Sequence, residues 1–203
     1  MNKSKLLFAS YFYEARNNPK WKLKLLLVIL TIVSVSIISI LSLDFNSMYK
    51  DLDISGDQLE MAKKIGMIGG VVGGTISSII NIAFIFIIIL VVSKIMKADI
   101  KGINIFSATL SFVLLTSIIK LVVLVIQLIS GISVNDYSIT SLNIFDKGNE
   151  FLGAFDLQSL IAAYLFSLVF YLTSRLSGIL SILLGVVYLV CVITFAIVGA
   201  NFK

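Results

Sequence analysis

The sequence predicts an all-α integral membrane protein: five transmembrane helices in a bundle, the N-terminus cytoplasmic, the C-terminus extracellular, and an interfacial helix ahead of the first span. Three observations carry this. Of 203 residues, 59% are hydrophobic and only 13% charged, against about half and a quarter in soluble domains. Mean hydropathy is +1.07. Uncharged runs of span length, about 18 residues or more, cover most of the chain.

Residues 1–20 read as an amphipathic cytoplasmic arm. Leu6, Leu7, Phe8, Tyr11, Phe12 and Tyr13 lie among Lys3, Lys5, Glu14 and Arg16, a mixture suited to a short helix in the headgroup region. Asn18 and Pro19 read as N-cap and first helical residue of the span that follows, with Trp21 as its interfacial anchor.

Residues 21–203 read as one transmembrane domain. The run 25–43 is uncharged between Lys24 and Asp44. Its basic flank begins late and no small-residue cleavage site follows, which argues for an uncleaved span rather than a secretory signal. The second run, 65–93, ends at Lys94, and a basic connector, 94–101, leads to the third, about 102–134, interrupted by Lys120. Both runs exceed a bilayer crossing of ~30 Å, so residues 65–72 and 124–135 are expected to project as an apolar pair zipped by glycines, unless a kink or turn intervenes. A polar, acidic loop continues to Asp156. The remainder, about 157–200, carries only Arg175, and its length requires two crossings, about 157–174 and 178–200. The turn is expected at Ser174-Arg175-Leu176-Ser177-Gly178.

Net charge is +5, which in a soluble protein would point to nucleic acid; here the basic residues mark topology, and no nucleic-acid partner is expected. The arm, the 94–101 connector and Arg175 together hold ten Lys/Arg and two acids; the remaining loops hold five Lys/Arg and nine acids. The positive-inside rule puts the first set in the cytoplasm.

Few residues offer chemistry. There is no histidine, and Cys191 is the only cysteine, so no metal site, cofactor or catalytic residue is expected and the chain does not read as an enzyme. Gly66, Gly70, Gly74 and Ser78 recur every four residues, with Gly69, Gly73 and Ser77 beside them. Small residues at this spacing let helix backbones approach in lipid, either within this chain or against a partner or second copy. The same glycines do not form a phosphate loop, for want of a G-K-[ST] element. Lys120 reads either as a side chain snorkelling to the interface or as part of a polar pathway or partner contact. Ser117-x-x-Lys120 has the spacing of serine–lysine hydrolases without their companion motifs. Asn81, Gln127 and Gln158 are expected to bond between helices.

An aromatic arm ending in Asn18-Pro19, the Gly-rich opening Gly66-Met67-Ile68-Gly69-Gly70, the start Phe155-Asp156-Leu157-Gln158 and the Ser174-Arg175 turn resemble the bacterial branch of the Yip family of Ypt/Rab-interacting membrane proteins. The resemblance implies a five-span multi-pass protein of the bacterial plasma membrane without catalytic residues. The Tyr-Gly and Gly-Pro signatures of eukaryotic members are missing, so no Rab-type partner is carried over. It also implies an accessory component of an ABC-type exporter, or an immunity protein against an antimicrobial peptide. Expected partners are then the bilayer, an ATPase-bearing membrane complex, a peptide toxin or a second copy. A small solute or ion transporter acting alone is the competing expectation.

Overall fold

The computed structural model describes residues 6–43, 45, 49, 56–134 and 137–200. Among these the protein is all-helical. Helix α1 covers Ala9–Asn17, α2 Trp21–Leu41, α3 Asp57–Ile95 and α4 Gly102–Ile129. A 3-10 turn at Leu142–Ile144 and the short α5, Glu150–Gly153, follow; α6, Leu157–Leu168, continues as a π-helical turn, Val169–Thr173, and α7 covers Gly178–Ala200. Four helices, α2, α3, α4 and α7, are long and apolar enough to cross a membrane, and Leu157–Thr173 is a shorter apolar helix.

Helix boundaries depart from the apolar runs where local chemistry decides. Asn18 is not the N-cap of α2: it closes α1, its N–H donating to Glu14 O at 2.8 Å, and Lys20 stands at the start of α2. Helix α3 is unbroken over 39 residues and begins eight residues before the apolar run. Asp57 and Glu60 occupy its first turn, where carboxylates favour the helix dipole. Helix α4 stops at Ile129 although the apolar stretch continues. Gly131 takes a left-handed φ of 67°, the Ile132 N–H reaches back to Gln127 O at 3.0 Å, and the Gly131 N–H to Leu128 O at 3.1 Å. This Schellman pairing satisfies carbonyls that a helix end leaves open. The Ser174–Gly178 turn is where the sequence predicts it, with Arg175 left-handed at φ 56°.

Helix α4 is the hub, packing against α1, α2, α3 and α6. The core lies toward the end of the bundle that carries α1. Val28, Ile89, Ile105, Leu110, Leu165 and Phe170 are buried there. Every buried residue of α3 lies between Ile82 and Ser93, so its first half stands largely free of the core. The interior rings Phe112, Phe166, Phe170 and Tyr188 form one cluster, with Phe166 stacked on Tyr188 at 4.6 Å.

The arm docks on protein rather than lying apart from the bundle. Phe12 and Ala15, three residues apart on α1, are fully buried against α4 and the π turn, while Tyr11 and Tyr13 stay exposed. The amide of Asn104 donates to the carbonyls of Ala15 and Arg16 at the end of α1. Arg16 donates from Nη1 to Thr173 O and from Nη2 to Asp99 O at 2.9 Å, and Thr173 Oγ1 donates to Phe12 O at 3.2 Å. Burial, and then Arg175 nearby, lower the Arg16 pKa, which Asp99 partly offsets.

Candidate functional site: a polar cavity beside Lys120

Polar side chains on α4 fall into two groups along its length. Near the α1 end they are paired. Lys24 of α2 donates from Nζ to Ser107 Oγ at 3.1 Å and to Ser111 Oγ at 2.7 Å. These serines are four residues apart and so share one face. Ser93 and Ser174 meet at 2.8 Å. The aromatic cluster follows, beginning at Phe112.

Beyond Phe112 the pattern reverses. A cavity of about 270 Å³ opens between α2, α3, α4, α6 and α7. Its polar lining includes Lys120, Asn81, Ser117, Ser159, Tyr188 and Gln158. Asn81, Thr116 and Ser159 each lie fourteen residues from the end of their helix or helical segment on the α1 side, about 21 Å at 1.5 Å per residue. Three separate helices thus deliver polar groups to one level. Lys120 stands about 27 Å along α4 by the same measure.

The side-chain polar atoms of Lys120, Asn81, Ser117 and Ser159, and the Tyr188 hydroxyl, make no hydrogen bond or ion pair with any described residue. Ser78 and Thr116 also line the cavity, but their hydroxyls donate to their own helices, to Gly74 O at 2.8 Å and Phe112 O at 3.0 Å. Gln158 donates to Thr140 Oγ1 at 2.8 Å. Apolar walls come from Ile32, Val35, Ile85 and Ile119. Polar groups at this depth are costly without partners. Their convergence on one space gives the cavity the character of a binding site: a few placed polar groups among apolar walls.

Lys120 is therefore in the cavity lining while remaining exposed as a residue. Ser117 joins it there, without a hydrogen bond between the two. The expected interhelical bonds of the amides differ in detail. Gln127 donates to the loop carbonyl of Tyr137 at 2.9 Å, Gln158 to the loop hydroxyl of Thr140, and Asn81 to no described residue.

The glycines divide. Gly66, Gly70 and Gly74 face the end of α2 and the residues after it, not 124–135: an added Cβ at Gly66 would stand 2.8 Å from Tyr49 Oη, at Gly74 3.2 Å from Ser36 Oγ, and at Gly70 against Ile40. Ser78 instead lines the cavity. Gly69 and Gly73 meet nothing within 4 Å. The expected pairing of 65–72 with 124–135, of which residue 135 lies outside the described residues, is not what these glycines make: α2 and the residues after it are the neighbours of the ridge.

A close helix approach was missed in the sequence. A Cβ at Gly185 of α7 would collide with Ser167 Oγ and stand 2.8 Å from Ala163 O of α6. Ser181-x-x-x-Gly185 facing Ala163-x-x-x-Ser167 is the same small-residue spacing that marks the glycine ridge. A second cavity of about 440 Å³ beside this crossing is almost wholly apolar and gathers no comparable polar set.

The chain matches no family model, no curated protein and no solved structure.

Proposed function

We propose that this protein is a small-solute transporter of the bacterial plasma membrane, holding its ligand in the Lys120 cavity between five membrane crossings. In this reading the α1 end is cytoplasmic and the loop between α4 and α6 is extracellular, the orientation that the loop charges favour. One observation supports it above the others: four helices bring Lys120, Asn81, Ser117, Ser159 and the Tyr188 hydroxyl to one space and leave them without described partners. Asn81 and Lys120 are exposed, and no buried side-chain polar atom among the described residues lacks a partner, so these groups stand open to a ligand rather than sealed in the packing. The test is flux by the purified protein alone in liposomes loaded with a solute panel. Transport that Lys120→Ala abolishes, with the fold intact, supports the proposal; no flux with any solute overturns it.

A second reading rests on the open side of α3. Gly69, Gly73 and exposed Ser77 form a small-residue ridge whose glycines meet no neighbour among the described residues, as a Yip-like accessory subunit of an ABC-type exporter or a peptide-immunity protein would present to its partner. That reading requires co-purification with an ATPase-bearing complex in mild detergent and peptide sensitivity on deletion. It denies flux by the protein alone.

A further inference from the structure

Resting on the cavity reading above, we infer that the Lys120 cavity is built for a compact oxyanion: a phosphate or carboxylate, free or carried as the headgroup of an amphiphile. Lys120 supplies the only formal charge among the described lining residues. Its ammonium has three donors and bonds to no described residue. The nearest acid in sequence to a lining residue, Asp156, is already engaged, in part by the side-chain amide of lining Gln158, whose Nε2 donates to its Oδ2 at 3.5 Å. Asp156 Oδ1 accepts from the Gln158 N–H at 2.8 Å and Oδ2 also from Ser138 Oγ at 3.3 Å.

The neutral groups match the same ligand. Asn81 brings two amide donors, and Ser117, Ser159 and Tyr188 bring one hydroxyl each. Donors converging around one cation, with no carboxylate in the described lining, favour an acceptor-rich anion and disfavour any cation. Size narrows the class. About 270 Å³ lies at the small end of ligand pockets, room for a headgroup and not for a folded peptide. The isoleucines and Val35 of the lining suit an apolar body attached to the anion.

The experiment is calorimetric titration of the full-length protein in nanodiscs with inorganic phosphate, with dihexanoyl phosphatidate, and with uncharged dihexanoylglycerol. At least one anionic probe binds, Lys120→Gln weakens it tenfold or more, and Lys120→Arg, which keeps the charge, binds more tightly than Lys120→Gln. Thermal unfolding of each variant establishes that it is folded. Binding of phosphate marks a free oxyanion; binding of phosphatidate alone marks a headgroup. The inference is overturned if neither anion binds, if Lys120→Gln binds as wild type does, or if dihexanoylglycerol equals phosphatidate. Liposome flux of an uncharged solute that Asn81→Ala abolishes would then leave the transport reading standing without the oxyanion. Absence of both binding and flux removes both.

Discussion

Gly185 of α7 rides directly over the backbone of α6: a methyl group placed on it would stand 2.8 Å from the Ala163 carbonyl and collide with Ser167 Oγ. A backbone atom cannot swing aside as a side-chain end can. Gly70, in contrast, faces the flexible tip of Ile40. Gly185→Leu is therefore expected to separate α6 from α7 and reduce membrane accumulation sharply, at a cost at or above the ~1–3 kcal/mol of ordinary overpacking. Gly70→Leu should cost less and Gly69→Leu almost nothing. Thermal unfolding in detergent ranks the three, and equal stabilities would refute the crossing geometry.

Two lysines in apolar surroundings should respond oppositely to loss of charge. Lys24 is held by Ser107 and Ser111, so Lys24→Met strips two hydroxyls of their charged partner at about 1–3 kcal/mol. Lys120 has no described partner, so Lys120→Met should leave stability unchanged or raise it. Unfolding midpoints for both variants decide the matter; a larger loss for Lys120→Met would mean that it is held in place after all.

Arg16 joins two carbonyls that do not lie on α1, those of Thr173 and Asp99. A lysine has no planar fork to span them. Arg16→Lys should therefore loosen the arm nearly as much as Arg16→Ala, and Phe12→Ala, emptying a fully buried site, should loosen it further. Limited proteolysis reads this directly, with faster cleavage before Trp21 and an intact core. An unchanged cleavage rate in Phe12→Ala would contradict the docked arm.

Orientation is open to labelling because Cys191 is the sole native thiol. In a Cys191→Ser background, a cysteine at Phe145, 84% exposed in the loop before α6, should react with an impermeant reagent in intact cells. One at Met96, between α3 and α4, should not. The reverse pattern would invert the proposed topology.

Much of this architecture was legible in residue order. Apolar runs located the long helices, and Ser174 to Gly178 marked the last turn, because bilayer length and turn chemistry are local properties. Run length failed where a single backbone conformation overrode it, as at Gly131. Lys24 and Lys120 illustrate the other limit. Both are cations beside or within apolar runs, yet only the helix arrangement bonds one to two serines and leaves the other without a described partner. Lys120 itself was readable as an intramembrane charge; the company of Asn81, Ser159 and Tyr188, drawn from three other helices, was not. Gly185 carried a readable spacing, obscured by the denser glycine pattern of α3.

The seating of α1 also constrains biosynthesis. Arg16 and the π turn that receives it are 157 residues apart, and Asn104 and Asp99 come from the middle of the chain. The arm leaves the ribosome ahead of its partners, yet its berth is incomplete until Thr173 has been translated and α6 inserted. Throughout that interval Phe12 and its neighbours have at most the α4 part of that surface to cover them. Ribosome-bound chains truncated before α6 should therefore show an arm open to protease, and chains extending past α7 a protected one.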